Sequence, residues 1–410
     1  MKAIFSLSST RGFALSVLSA VALAGCGGGG GSTTPTGPAS PPVTQGSGGN
    51  TPTGNALSAP AAAMLNLDLS NLPDYSTPLP AYYDATVAAL DNTQGNAVTR
   101  EAATLGRVLF YDKRLSINNA KSCASCHDQA TDFGDSARFS TGFSGSELTT
   151  AHAMRLANLR YWKPGNMFWD RRAPSLEAQS VMPIQHPVEM GFDASNGGMA
   201  GLLNKMKSVA YYPELFAHAF GDSEVTEQRM QTALAQFMRS MVSVNSRWDA
   251  GYAQVYDPSL PDKGLGKPVP GLTDEENRGR HLFMAFPTQG GLACAACHVP
   301  PTFALRPTSG SNGLDAGETR MFKSASLKNV GKSGAYMHDG RFSTLEEVVE
   351  HYATGVKDGP ALDANMKGPD GQPRLRNISP EDKAALVAFL KTLSDPVLAS
   401  DPRFSSPFRE

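Results

Sequence analysis

One pentapeptide occurs twice in this chain: Cys123-Ala124-Ser125-Cys126-His127, and again Cys294-Ala295-Ala296-Cys297-His298. Together the two copies use four of the five cysteines. C-x-x-C-H is the attachment motif of a c-type haem. Two thiols one helical turn apart add to the two vinyl groups of the ring, and the histidine that follows offers its imidazole to the iron. A C-x-x-C pair can also be half of a zinc site or a dithiol redox pair. The recurrence of the full motif, with no βαβ pattern around either copy, favours two covalent haems.

A chain of 410 residues is long enough for two domains with separate cores. Charged residues make up 18% and the formal net charge is -2, so nothing in the overall charge suggests nucleic acid as a partner. The remaining cysteine, Cys26, ends the run Leu23-Ala24-Gly25-Cys26 after Lys2, Arg11 and an apolar stretch from Phe13 to Ala24. That stretch is too short to span a bilayer and reads as a secretory signal over residues 1–25. Leu-Ala-Gly-Cys resembles a lipobox, with Cys26 as the lipidated N-terminus of the mature lipoprotein. An ordinary signal peptide cut nearby is the alternative, and both imply export to the periplasm. Residues 26–60 are Gly, Ser, Thr and Pro with few large apolar side chains, a composition that serves as a tether rather than a fold. The membrane is then reached through the lipid anchor only.

The remainder repeats a local plan. Thr99-Arg100-Glu101 opens a helix with Leu105, Val108 and Leu109 on one face. Thr273-Asp274-Glu275-Glu276 is a capping box ahead of Gly279, Leu282 and Phe283. The pentad Gly106-Arg107-Val108-Leu109-Phe110 matches Gly279-Arg280-His281-Leu282-Phe283, and a C-x-x-C-H follows each. A helix over 227–242, carrying Met230, Leu234, Phe237, Met238 and Met241 as core, closes the first half. Ser379-Pro380-Glu381-Asp382 caps the helix that closes the second. The expected class is all-α: two tandem cytochrome c-like domains with long loops, at 61–257 and 272–410, joined by a linker at 258–271.

Between the motifs the chain resembles the bacterial dihaem cytochrome c peroxidase family, including its MauG-type branch, from about Asn96 to Leu393. The carriers are Phe168-Trp169-Asp170-Arg171-Arg172-Ala173, Ser175-Leu176-Glu177-Ala178-Gln179, Pro183-Ile184, Glu189-Met190, Ser326-Leu327-Lys328-Asn329-Val330 and Tyr336-Met337-His338-Asp339-Gly340. The resemblance implies that the first haem, held by Cys123, Cys126 and His127, meets hydrogen peroxide. Glu189 then stands as general acid and base, Gln179 as its hydrogen-bonding companion, and Pro183 as the apolar residue crowding the distal face. Peroxidases of this family that need reductive activation carry a histidine in a Ser-x-Gly-His stretch. Here that stretch is Ser140-Thr141-Gly142-Phe143, which leaves the iron five-coordinate, with His152 as a spare ligand.

The same resemblance implies that the second haem, held by Cys294, Cys297 and His298, passes electrons. Its other ligand is expected at Tyr352, where electron-transfer members carry methionine; His351, Met337 and Met366 are the other candidates. An anionic oxygen ligand stabilises oxidised iron, whereas thioether sulfur stabilises reduced iron. Trp169 matches the family tryptophan between the haems, while Trp162 and Trp248 read as packing residues. The resemblance also implies one calcium ion, although His152 replaces its asparagine ligand and Ser333 and Ala335 fall at the carbonyl positions.

The expected activity is reduction of peroxide with electrons from a small cytochrome c or cupredoxin. A MauG-like enzyme, which turns peroxide's oxidising equivalents on a side chain of a partner protein, is the second reading. A dihaem electron carrier without peroxide chemistry is the third.

Overall fold

The computed structural model describes residues 56–93 and 95–409. The signal segment, Cys26 and nearly all of the tether lie outside the described residues. Described residues are mostly helical, with one two-stranded antiparallel pairing, His298–Val299 on Ala304–Leu305.

The helices that position the two motifs begin where the sequence marks them. Helix α1, Arg100–Tyr111, starts at Thr99, whose hydroxyl accepts from the Ala102 amide, a cap contributing about 1 kcal/mol. Helices α2, Leu176–Val181, and α3, Glu227–Arg239, follow, capped by Ser175 and Thr226. In the second half come α4, Asp274–Met284, with the Thr273/Glu276 capping box, then α5, Leu345–Glu350, and α6, Pro380–Lys391. Helix α3 stops at Arg239 rather than Val242. Ser240 turns its hydroxyl back to the Phe237 carbonyl at 2.6 Å, and Met241 and Val242 continue as buried coil.

Each opening helix crosses its closing helix at the glycine of the repeated pentad. A methyl group on Gly106 would lie 2.0 Å from the Ala233 carbonyl oxygen of α3, and one on Gly279 would lie 1.8 Å from the Ala385 oxygen of α6. Only glycine lets the backbones approach so closely.

The duplication extends to the loops. Asn158 and Asn329 both adopt left-handed backbone (φ 61° and 63°) and both start a short 3₁₀ turn. Their amides donate to Met241 and Leu393, just beyond the closing helices. The loops Met167–Ala173 and Tyr336–Phe342 are each pinched by one antiparallel bridge between their ends. Each has left-handed backbone at the same two places, Phe168 and Arg171 in one, Met337 and Gly340 in the other. Trp169 and His338 therefore occupy equivalent positions.

Two apolar cores result. One gathers Leu105, Leu109, Phe110, Met230 and Phe237; the other gathers Leu282, Phe283, Phe303, Phe389 and Leu390. They exchange flanking chain. Leu398 and Phe404 pack into the first core, and Tyr82, Tyr83 and Trp248 into the second. Under Trp248, the buried Lys328 ammonium pairs with Asp249.

Candidate haem sites

Both C-x-x-C-H motifs form a single 3₁₀ turn, Cys123–Ser125 and Cys294–Ala296, directly after their opening helix and its loop. The four thiols are free. Burial pushes the Cys123 thiol up to about 12 and that of Cys294 up to about 11, so neither is a standing thiolate. His127 and His298 are held neutral by burial, His298 down to about 4. At His127 the ring Nδ1 donates to the Phe133 carbonyl at 3.1 Å, which leaves Nε2 with its lone pair free for a metal. At His298 the Nδ1 is buried without a partner. Among the described residues no group of three or more His, Cys, Asp or Glu gathers as a metal cluster, so the two motifs do not pool their donors.

The second motif opens on a large apolar cavity lined by Cys294, Cys297, His298, Leu386, Leu390 and Tyr352. Two thiols, a neutral imidazole and an apolar chamber fit a covalently attached haem. Residues of the first half, His152, Met154 and Trp169, close one side of the chamber.

Tyr352 reaches the cavity through a local irregularity. Helix α5 passes into one turn of π-helix, His351–Gly355, the kind of bulge that re-aims side chains. The phenol is buried, and burial pushes it up to about 12 against the pull of the Asn312 amide. His351 is turned elsewhere, with Nε2 3.1 Å from the Asn312 carbonyl and its ring against Phe342. Met337 and Met366 also line the cavity.

Around the first motif, the segment after α2 carries Pro183 and Ile184, then turns so that Glu189 comes near the thiols. Burial raises both Cys123 and Cys126, and the Glu189 charge adds to that. Glu189 is itself raised by burial, opposed by His186 and Arg172. His186 Nδ1 stands 3.7 Å from its carboxylate. Gln179 lies half-buried on α2. Phe143 docks against the same segment: its amide donates to Val188 at 3.1 Å, and its ring fills the space beside Gly191 (φ +81°).

Trp169 spans the halves. Its indole Nε1 donates to the His152 carbonyl at 2.8 Å, and the His152 amide donates to the His338 carbonyl at 2.9 Å. His152, the spare ligand of the sequence reading, stands in this bridge, with Nδ1 directed at the Ala137 and Arg138 carbonyls.

The residues at the expected calcium position do not fit that ion. Calcium takes oxygen ligands, usually with carboxylate among them. Here the buried Arg155 guanidinium donates to Ser333 Oγ and to the Ser326 carbonyl. Sequence reasoning also passed over Asn312, Arg155 and Lys323. The Lys323 ammonium is buried against Met154 sulfur and the Trp162 face. None of the three stands in a spacing pattern that could have announced it.

Mostly helical described residues with two thiol-thiol-imidazole turns and an apolar chamber behind one of them define a c-type haem protein. Residues 100–256 match the family described as di-haem cytochrome c peroxidase. The methylamine utilization protein MauG of Methylorubrum extorquens is 33% identical over 323 residues, covering 74% of this chain and 81% of that protein. The cytochrome c551 peroxidase of Nitrosomonas europaea is 29% identical over 338 residues, covering 76% and 85%. Among solved structures, a MauG-like protein associated with microbial copper homeostasis superposes with a TM-score of 0.63 at 29% identity, covering 82% of this chain and 98% of that one. The diheme peroxidase BthA of Burkholderia thailandensis shares the fold, with a TM-score of 0.58 at 22% identity over 76% and 91%. The chain belongs to the di-haem cytochrome c peroxidase family. It is an oxidoreductase of a family whose members carry both the peroxidase and the MauG names.

Proposed function

We propose that the chain is a dihaem c-type peroxidase that reduces hydrogen peroxide to water with electrons from a small cytochrome c or cupredoxin. Each half is a cytochrome c-like domain carrying one covalent haem, through Cys123, Cys126 and His127 and through Cys294, Cys297 and His298. The observation that carries the reading is Glu189, a half-buried carboxyl beside the first motif whose pKa burial raises despite His186 at 3.7 Å.

When bound, the first haem would supply an iron that takes the oxidant. Glu189 takes the proton from the inner peroxide oxygen and returns it to the outer one, which leaves as water. Gln179 orients the peroxide, and Pro183 with Phe143 narrows the space around it. The balance is one peroxide, two electrons and two protons to two waters. His127, donating Nδ1–H to Phe133, is a more electron-rich ligand than a free imidazole. Trp169, in the wall of the second cavity, relays charge between the centres. Tyr352 would supply an anionic oxygen to hold the iron of the second haem.

A MauG-like activity, oxidation of a partner protein's side chain, is supported by Tyr352 and by Phe143 in place of an activating histidine. Turnover with reduced cytochrome c and peroxide, on enzyme never pre-reduced, tests the choice. Sustained oxidation of the cytochrome supports the peroxidase. Consumption of peroxide without it, together with modification of an added protein, supports the alternative. We also place the enzyme in the periplasm, held at a membrane by an acylated Cys26. Among the described residues no helix is long and apolar enough to cross one.

A further inference from the structure

Two side chains able to ligate iron share one hydrogen-bond donor at the second centre. The Asn312 Nδ2 lies 3.5 Å from the Tyr352 hydroxyl and 3.4 Å from the Met337 sulfur, and all three residues line the cavity that His298 faces. The backbone that carries Asn312 is pinned on both sides. Ser311 donates to the Ala361 carbonyl at 2.7 Å and accepts from Asp363 at 2.9 Å, while Gly313 accepts from Lys357 at 2.8 Å. His351 bonds the Asn312 carbonyl itself. Gly313, at φ +69°, sits where a side chain would collide with the Lys357 carbonyl. The backbone on both sides of Asn312 is thereby fixed, and its side-chain amide lies toward the two candidate ligands. Met337, for its part, is a non-glycine residue in left-handed backbone, φ +72°, a conformation that must be over-determined by its surroundings to persist.

Resting on the reading of Tyr352 as the second iron's ligand, we infer that Asn312 is a positioning residue that selects between Tyr352 and Met337 for that iron. One amide hydrogen donates to the phenolate oxygen and stabilises it as an anion. The other engages the Met337 sulfur and keeps it from the metal. The selection has a direction, because thioether ligation favours reduced iron and phenolate favours oxidised iron. The Asn312 amide thereby holds the second centre in its low-potential form.

The test uses holoprotein, with two covalent haems per chain verified first. Asn312→Asp keeps the size and backbone bonds of the segment but has no amide hydrogens; Asn312→Leu removes both donor and charge. In each variant the phenolate-to-iron charge-transfer band is expected to weaken, a thioether-type band to appear, and the midpoint potential of the second haem to rise. Adding Met337→Leu should abolish the new band. Wild-type band intensity and potential in Asn312→Asp would overturn the inference. Tyr352→Phe is the control: if it leaves the wild-type spectrum unchanged, the assignment of Tyr352 has failed rather than the role of Asn312.

Discussion

The imidazole of His338 meets the indole of Trp169 edge-on, with ring centres 6.5 Å apart. They are the corresponding residues of a duplicated loop, so the contact sits where the two halves face one another. On its far side His338 stacks on Phe322 at 4.3 Å. Trp169, His338 and Phe322 thus form a run of aromatic contacts along the wall of the second chamber.

Replacing Trp169 by phenylalanine preserves packing but removes both the oxidisable indole and its bond to His152. Steady-state peroxide reduction should fall, while reduction of the second haem by its donor stays at the wild-type rate. Stopped-flow absorbance on the two haems separates these steps. Equal slowing of both would remove Trp169 from the relay.

Glu189→Gln should lower kcat for peroxide by about 10²- to 10⁴-fold, the range for a lost general acid and base. Because burial raises the Glu189 pKa, the neutral form persists to higher pH than for an exposed carboxyl, and a neutral carboxyl cannot accept the peroxide proton. Wild-type kcat/KM therefore falls as pH drops through that raised value. The limb is absent from the Glu189→Gln profile. An unaltered profile in the variant would assign the proton transfer elsewhere.

Gly106→Ala and Gly279→Ala each drive a methyl group into a helix crossing, and overpacking of this kind costs about 1–3 kcal/mol. Gly201→Ala is the contrast. That site lies within the helix Gly198–Lys207 and its nearest neighbour is 3.5 Å from the added carbon, so stability should hold or rise. Denaturant midpoints of the three variants decide the matter, and a harmless Gly106→Ala would refute the crossing geometry.

These crossings also show how far the sequence could be read. Thr99, Thr273 and Ser379 announce helix starts because a cap is local chemistry, and the repeated pentad points to a shared contact. The exchange of flanking segments is not local. Leu398, Phe404, Tyr82 and Trp248 look like ordinary apolar residues until the chain returns them to the opposite core. Arg171 is similar: its left-handed backbone (φ 60°) would suit glycine, yet its guanidinium reaches the carbonyls of Pro307, Ser309 and Phe322. Those acceptors lie over 130 residues downstream, beyond any periodicity. Of the site, Glu189 and Tyr352 stand in recognisable motifs, whereas Asn312 is defined solely by the segments that pin it.

Asp132 is buried five residues past His127. Lys332 at 2.8 Å pulls its carboxyl down, but burial outweighs that and raises it to about 6. The native state then binds more protons than the unfolded state between about pH 4 and 6, so this residue's contribution to stability declines as pH rises through that window. Asp132→Asn should remove the decline. Its stability relative to wild type should improve from pH 4 to pH 7 by up to about 3 kcal/mol, two units at 1.36 kcal/mol each. Chemical denaturation at the two pH values measures the difference, and a constant offset would contradict the burial argument.

The proposed function makes the two centres unequal: Glu189 would serve an iron open to peroxide, and Tyr352 would cap the other. Electron paramagnetic resonance of the fully oxidised holoprotein, alongside Tyr352→Met and Glu189→Gln, tests it most directly. The account predicts one five-coordinate high-spin signal and one six-coordinate signal, with Tyr352→Met altering only the second and Glu189→Gln perturbing only the first. Two six-coordinate low-spin signals in the resting protein, both indifferent to these substitutions, would contradict it.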